Sequence, residues 1–171
     1  VALMAPTEIL ATQHYLYIKN LLAALPFKVD LLISARKAGE KAELKRQIAA
    51  GPVHMVVGTH ALVEEDVEFA KLGLVIIDEQ HRFGVMQRFK LIRKGPRPDV
   101  LVMTATPIPR TLALTLYGDL DFSVIDELPP NRTPIETRLV GERDRERTFE
   151  FIRAKVKAGQ QAYVVYPVIE E

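Results

Sequence analysis

Leu74-Val75-Ile76-Ile77-Asp78-Glu79-Gln80-His81 is the stretch that decides the fold. Four apolar residues, three of them β-branched, end abruptly in two carboxylates, an amide and an imidazole. A continuous apolar run without polar alternation predicts a strand buried on both faces of a parallel sheet. In an open α/β sheet, ligands bind just beyond the carboxyl ends of the strands. Asp78 and Glu79 are expected there. In a phosphoryl-transfer site the first such carboxylate holds Mg²⁺, usually through water, and a neighbouring group positions or deprotonates the attacking water. The pair alone is not specific, because Val124-Ile125-Asp126-Glu127 repeats it. There Leu128-Pro129-Pro130 follows, which reads as a strand running into a linker. The case for Asp78 therefore depends on what stands at the neighbouring strand ends.

The 171 residues suffice for one domain of ordinary size, or one domain and part of another. Hydrophobic residues make up 48% and charged residues 26%, the profile of a globular rather than a disordered chain. No apolar run approaches the ~20 residues of a membrane-spanning helix, and no secretory signal is recognisable. Cysteine is absent, which excludes disulfides, thiol catalysis and cysteine metal sites and fits a reducing cytoplasm. A net charge of +1 gives no overall argument for nucleic acid. Contact with DNA would have to come from locally placed basic groups or from backbone N–H groups at helix starts.

Outward from Leu74, strands and helices alternate. Val1 to Ala5 reads as a strand that starts without lead-in, so further sequence is expected upstream. Pro6-Thr7-Glu8 opens a helix that Thr7 can cap, and Glu8 suits the positive end of its dipole. Leu10, His14, Tyr17, Leu21 and Leu25 recur at helical spacing up to Pro26. Val29 to Ile33 predicts the second strand. Glu40 to Ala50 predicts a helix with Lys41, Glu43, Lys45 and Arg46 on a solvated face, broken by Gly51-Pro52. Met55-Val56-Val57 forms the third strand, ending at Gly58-Thr59-His60. After Leu74–Ile77, a basic helix is expected over 85–93 and a fifth strand over 100–103, ending at Thr104-Ala105-Thr106-Pro107. A helix over 109–117 then leads to a sixth strand over 122–125. This order predicts an α/β doubly wound sheet.

After Leu128 the texture changes. Pro129-Pro130-Asn131-Arg132-Thr133-Pro134 reads as an extended linker. Leu139-Val140, a charged helix over 144–158 stopped by Gly159, and a strand over 162–168 make one further β-α-β unit. One such unit cannot enclose a core and reads as the start of a second α/β domain. The expected layout is a first lobe over 1–128, a linker over 129–138 and the start of a second lobe over 139–171.

Four turns deliver polar groups to one sheet edge: Thr7, Gly58-Thr59-His60, Asp78-Glu79-Gln80-His81 and Thr104-Ala105-Thr106. Singly, each has a structural explanation. As an ordered set they resemble the RecA-like motor core of superfamily 2 nucleic-acid helicases. Longer runs sharpen the resemblance to the RecG family of DNA helicases: Ala5-Pro6-Thr7-Glu8-Ile9-Leu10-Ala11, then Ile77-Asp78-Glu79-Gln80-His81-Arg82-Phe83-Gly84-Val85, then Met103 to Ala113, then Ile125 to Pro134. Asn131 stands where that family more often has glycine. Transcription-repair coupling translocases share the third run, but usually with a DEEH box and another linker.

The resemblance implies roles. Asp78 would organise Mg²⁺ on the ATP phosphates, and Glu79 would orient or deprotonate the attacking water. Gln80 and His81 would link nucleotide state to DNA, and Thr104 and Thr106 would couple hydrolysis to lobe movement. Thr7, Gly58, Thr59 and His60 would hold DNA phosphates without reading sequence. The basic groups Arg82, Arg88, Lys90, Arg93 and Lys94 are either a DNA track or a solvated face. The implied parent is an ATP-dependent helicase of the bacterial cytosol that remodels branched DNA in recombination and repair. No G-x-x-x-x-G-K-[ST] loop occurs, so the 171 residues alone are expected to be inactive. A metal-dependent phosphatase or nuclease would need further carboxylates where Thr59 and Thr104 stand. A lobe that only binds DNA or a partner is the non-enzymatic alternative.

Overall fold

The computed structural model describes residues 1–105, 121, 123–127, 129 and 132–166. The helix expected over 109–117 and Thr106 lie outside them. Two compact units, Val1–Leu120 and Asp121–Glu171, are described separately.

The first unit is built on a sheet of five short strands: β1 (Ala2–Met4), β2 (Val29–Leu32), β3 (Met55–Gly58), β4 (Leu74–Ile77) and β5 (Asp99–Val102). Their order across the sheet is β2-β3-β1-β4-β5, and every pairing is parallel. The strands fall within a residue of their expected ends. Side chains alternate across the sheet, so its two faces carry separate cores. Ala2, Met4, Leu32, Val56, Val75 and Ile77 face one core, and Leu3, Val29, Val57 and Ile76 face the other.

The larger core is closed by α2 (Ala38–Ala50) through Leu44 and Ile48, and by α3 (Val85–Ile92) through Leu91. Ala61, Leu62, Val67 and Leu72 from the segment before β4 complete it. Gly51 ends α2 at φ +98°, a left-handed conformation that favours glycine, and its N–H bonds back to the Gln47 and Ile48 carbonyls.

The smaller core lies under α1 (Glu8–Leu21), which Thr7 caps by accepting the Leu10 N–H at 3.3 Å. Its buried face differs from the expected one. Ala11 is buried, and Leu10, Tyr15, Ile18 and Leu22 pack beside it, whereas Tyr17, Leu21 and Leu25 are exposed. Two stripes at helical spacing compete on this helix, and contact with Leu3, Val29 and Val57 selects the one that includes Ala11. A small residue there lets α1 approach the sheet closely.

Lys45 also departs from expectation. It is not solvated but reaches from α2 to Glu64 and Asp66, both at 2.7 Å, with its side chain 15% exposed. Burial opposes its charge, yet the two carboxylates outweigh burial and raise its pKa. Lys94 grips the same segment from beyond α3, donating to the Glu64 and Val67 carbonyls at 2.6 and 2.7 Å.

In the second unit, the charged helix forms as α4 (Arg145–Lys157), and Gly159 follows at φ +84°. The expected strands do not form among the described residues: 123–125, 139–140 and 162–166 carry no strand pairing. A strand needs a neighbour to take its backbone N–H and C=O groups. Among the described residues of this unit, no second strand supplies one.

Gly58 marks where packing leaves least room. A Cβ there would lie 2.4 Å from the Leu32 carbonyl oxygen and 2.9 Å from Leu62 Cγ. Gly58→Ala is expected to lower stability by about 2 kcal/mol or more, since overpacking must move backbone as well as a side chain. Urea unfolding followed by circular dichroism measures this, and an unchanged midpoint would refute the close approach.

Candidate active site at the carboxyl edge of the sheet

Parallel pairing brings all five carboxyl ends to one edge, and backbone bonds continue past the strands to tie them together. Ala5 N–H donates to the Gly58 carbonyl at 2.9 Å, and Asp78 N–H to the Met4 carbonyl at 3.0 Å. Met103 N–H donates to the Ile77 carbonyl at 2.9 Å, and Gln80 N–H to the Met103 carbonyl at 3.4 Å. Because β1 lies between β3 and β4, the order along the edge is Thr59, Thr7, Asp78, Thr104. This brings together the turns that the sequence singles out, apart from Thr106.

Asp78 is the most enclosed acid of the edge. Its Oδ2 lies 2.7 Å from Nε2 of His14, with side-chain exposures of 17% and 29%. A carboxylate only accepts, so the imidazole donates from Nε2. By spacing, His14 falls on the apolar stripe of α1, and nothing in that pattern foretells this bond. The signal available was a polar ring at a position otherwise read as core.

Glu79 has φ +48° and ψ +53°, and is the one non-glycine with positive φ among the described residues. A left-handed non-glycine residue costs about 1–3 kcal/mol, and such strain concentrates at functional sites. Its Oε2 is buried without a hydrogen-bond partner, while Nδ1 of His81 stands 3.4 Å away. With no exposed surface, this oxygen reaches water only if the turn that holds Glu79 rearranges. Gln80 opens a 3-10 turn over Gln80–Arg82 and is 5% exposed, its Oε1 accepting from Arg88 Nη1 at 2.9 Å. His81 is exposed.

On the β3 side, Thr59 is 2% exposed and its hydroxyl turns inward without a hydrogen-bond partner. His60, which starts the 3-10 turn His60–Val63, is the exposed member of that group. Thr7 is exposed at the start of α1. The basic residues around α3 divide. Arg88 serves Gln80, Lys94 serves the loop carbonyls, and Arg93 stacks on the Phe89 ring at 4.3 Å. Arg82 and Lys90 are exposed.

Among the described residues, no three His, Cys, Asp or Glu side chains are grouped to hold a metal ion. The donors present fit Mg²⁺, which binds through one or two carboxylates and takes its other ligands from water and substrate phosphates. Among the described residues, no second carboxylate set of the two-metal kind stands beside them.

A doubly wound parallel sheet with an Asp-Glu pair at the end of an inner strand defines the class, and comparison with known proteins agrees. The DEAD/DEAH box helicase description matches residues 1–115, and the chain belongs to that family. Within it, the similarity is to RecG. The chain is 54% identical over 170 residues to ATP-dependent DNA helicase RecG of Synechocystis, covering 99% of this chain and 20% of that protein. It is 52% identical to RecG of Bacillus subtilis, covering 99% of this chain and 25% of that one. A solved structure of RecG bound to a three-way DNA junction matches with a TM-score of 0.77 at 49% identity, over 98% of this chain and 22% of that one. The chain thus spans a fifth to a quarter of these relatives. No described helix is long and apolar enough to cross a membrane.

Arg88→Ala is expected to destabilise the fold by about 1–2 kcal/mol, because Gln80 is buried and loses a charged donor. Lys90→Ala, at an exposed position on the same helix, should change stability by less than about 0.5 kcal/mol. Equal effects of the two in urea unfolding would mean that Arg88 is not holding Gln80.

Proposed function

We propose that this chain is the motor segment of an ATP-dependent DNA helicase of the RecG type, acting on branched DNA such as stalled forks and four-way junctions. The observation that carries this reading is the convergence of Thr59, Thr7, Asp78 and Thr104 along one sheet edge, with a strained acidic residue following Asp78. The identity to RecG relatives supports the nature of the substrate. On this reading, residues 1–128 form the first helicase lobe, 129–138 the linker and 139–171 the start of the second lobe, in a cytoplasmic protein of recombination and repair.

Asp78 would hold Mg²⁺ at the ATP phosphates through water. When bound, Mg²⁺ neutralises charge that develops on the phosphoryl oxygens. Glu79 would orient the attacking water with its carboxylate and accept a proton from it, and His81, 3.4 Å from its buried Oε2, would make that carboxylate responsive to DNA. Gln80, fixed by Arg88, would relay the nucleotide state, and Thr104 and Thr106 would couple it to lobe movement. Thr7, Gly58, Thr59 and His60 would hold DNA phosphates, with backbone N–H groups doing most of this at Thr59, whose hydroxyl is buried. The sequence carries no G-x-x-x-x-G-K-[ST] loop, so turnover is expected only where another segment of a longer protein supplies the phosphate cradle.

Glu79→Gln in the full-length protein should abolish ATP turnover and leave nucleotide binding largely intact, as read by phosphate release and equilibrium binding. Normal turnover would remove Glu79 from the mechanism. His81→Ala should retain DNA-stimulated ATPase but lose most unwinding of a forked substrate. If unwinding survives, His81 is structural.

A further inference from the structure

We propose that His14 is a positioning residue for Asp78, setting the metal-organising carboxylate from the helix that begins at Thr7. The proposal rests on the helicase reading above and goes beyond it, because His14 belongs to none of the turns that carry that reading. Asp78 is held at two points. Its backbone N–H bonds to the Met4 carbonyl of β1 at 3.0 Å, and its Oδ2 accepts from His14 Nε2 at 2.7 Å. Both anchors belong to one continuous piece of chain, β1 followed by α1.

His14 is itself held. α1 is fixed on the sheet by Ala11 and Ile18, one turn to either side of His14, and at its start by the Thr7 cap. Glu8 Oε1 accepts the Ala35 N–H at 3.1 Å, which ties the first turn to the segment after β2. The imidazole therefore presents a donor from a fixed place, and the carboxylate turns to meet it. With Oδ2 engaged, Asp78 would have Oδ1 to offer to a hydrated cation. A hydrogen-bond partner behind a metal carboxylate fixes its orientation, and losing such a partner typically costs 10–100-fold in metal affinity.

His14 lies seven positions beyond Thr7, about 10 Å along a helix. A displacement of α1 at its polar start would reach Asp78 through a single rigid element.

The test uses the full-length protein and a fluorescent ATP analogue, with binding titrated in EDTA and again in Mg²⁺. His14→Phe keeps the ring volume without a donor, and His14→Gln keeps a donor. His14→Phe should lose about tenfold of the affinity gained on adding Mg²⁺, with binding in EDTA unchanged. His14→Gln should retain most of that gain. Thermal unfolding without nucleotide checks that each variant is folded, and if His14→Phe is not, His14→Ala replaces it in the comparison. A Mg²⁺ gain equal to the original protein's in the folded donor-less variant overturns the role of His14 and leaves the helicase reading intact. If the original protein itself gains no affinity from Mg²⁺, the helicase reading fails and this inference falls with it.

Discussion

β1 is only three residues long, yet it is hydrogen-bonded along both edges, and the rest of the first unit depends on it. Leu3 sits in register between Val57 of β3 and Ile76 of β4. A strand paired on both sides and covered on both faces must be apolar throughout, and Ala2, Leu3, Met4 and Ala5 are each at most 3% exposed. Its alternation divides the interior, with Ala2 and Met4 in the core under α2 and α3 and Leu3 in the core under α1. The strand then supplies the Met4 carbonyl to Asp78, and the residue that follows it supplies the Ala5 N–H to Gly58. Apolar burial and the alignment of the polar edge are thus properties of one segment.

The strain at Glu79 is held in place by what surrounds it. A left-handed glutamate persists only where neighbours over-determine it. Arg82 N–H closes on the Glu79 carbonyl at 2.9 Å and Phe83 N–H on the Gln80 carbonyl at 3.0 Å, which makes a tight turn. Phe83 is buried in the larger core, and Gln80 is locked between the Met103 carbonyl and Arg88. Relaxing Glu79 would pull a phenyl ring from the core and a buried amide from its partners. The amide loss is of order 1–3 kcal/mol and the ring loss about 3–5 kcal/mol, together more than the strain.

The strands of the first unit were legible because parallel strands buried on both faces leave continuous apolar runs, and each run here is bounded by polar or breaking residues. The edge was legible for the same reason, since its polar groups begin where those runs stop. Side chains that act away from their own element were not. His14 and Lys45 sit at helical positions whose spacing fits an apolar stripe and a solvated face, and only the fold brings Asp78 to one and Glu64 and Asp66 to the other. The face of α1 was misread because Tyr17 and Leu21 outweigh Ala11 in hydrophobic bulk, while close packing on a sheet rewards the small residue. In the second unit, 139–140 and 162–166 have strand composition without a strand to pair with among the described residues. Composition reports what a segment can bury, not whether a partner is present.

The spatial order of the edge matters more for the proposed function than the chain order. In sequence, Thr7 and Asp78 are separated by α1, β2, α2, β3 and β4. In space they are neighbours, because β1 is inserted between β3 and β4. Under the proposed function, the residue that would hold a DNA phosphate and the residue that would organise the nucleotide metal therefore follow adjacent strands. Coupling between two sites needs a physical element that both can bias, and long distances make such elements hard to identify. Here no long path is required. β1 and α1 contribute to both positions, and their contacts with Asp78, through backbone and through imidazole, are short enough that α1 cannot shift without altering one of them.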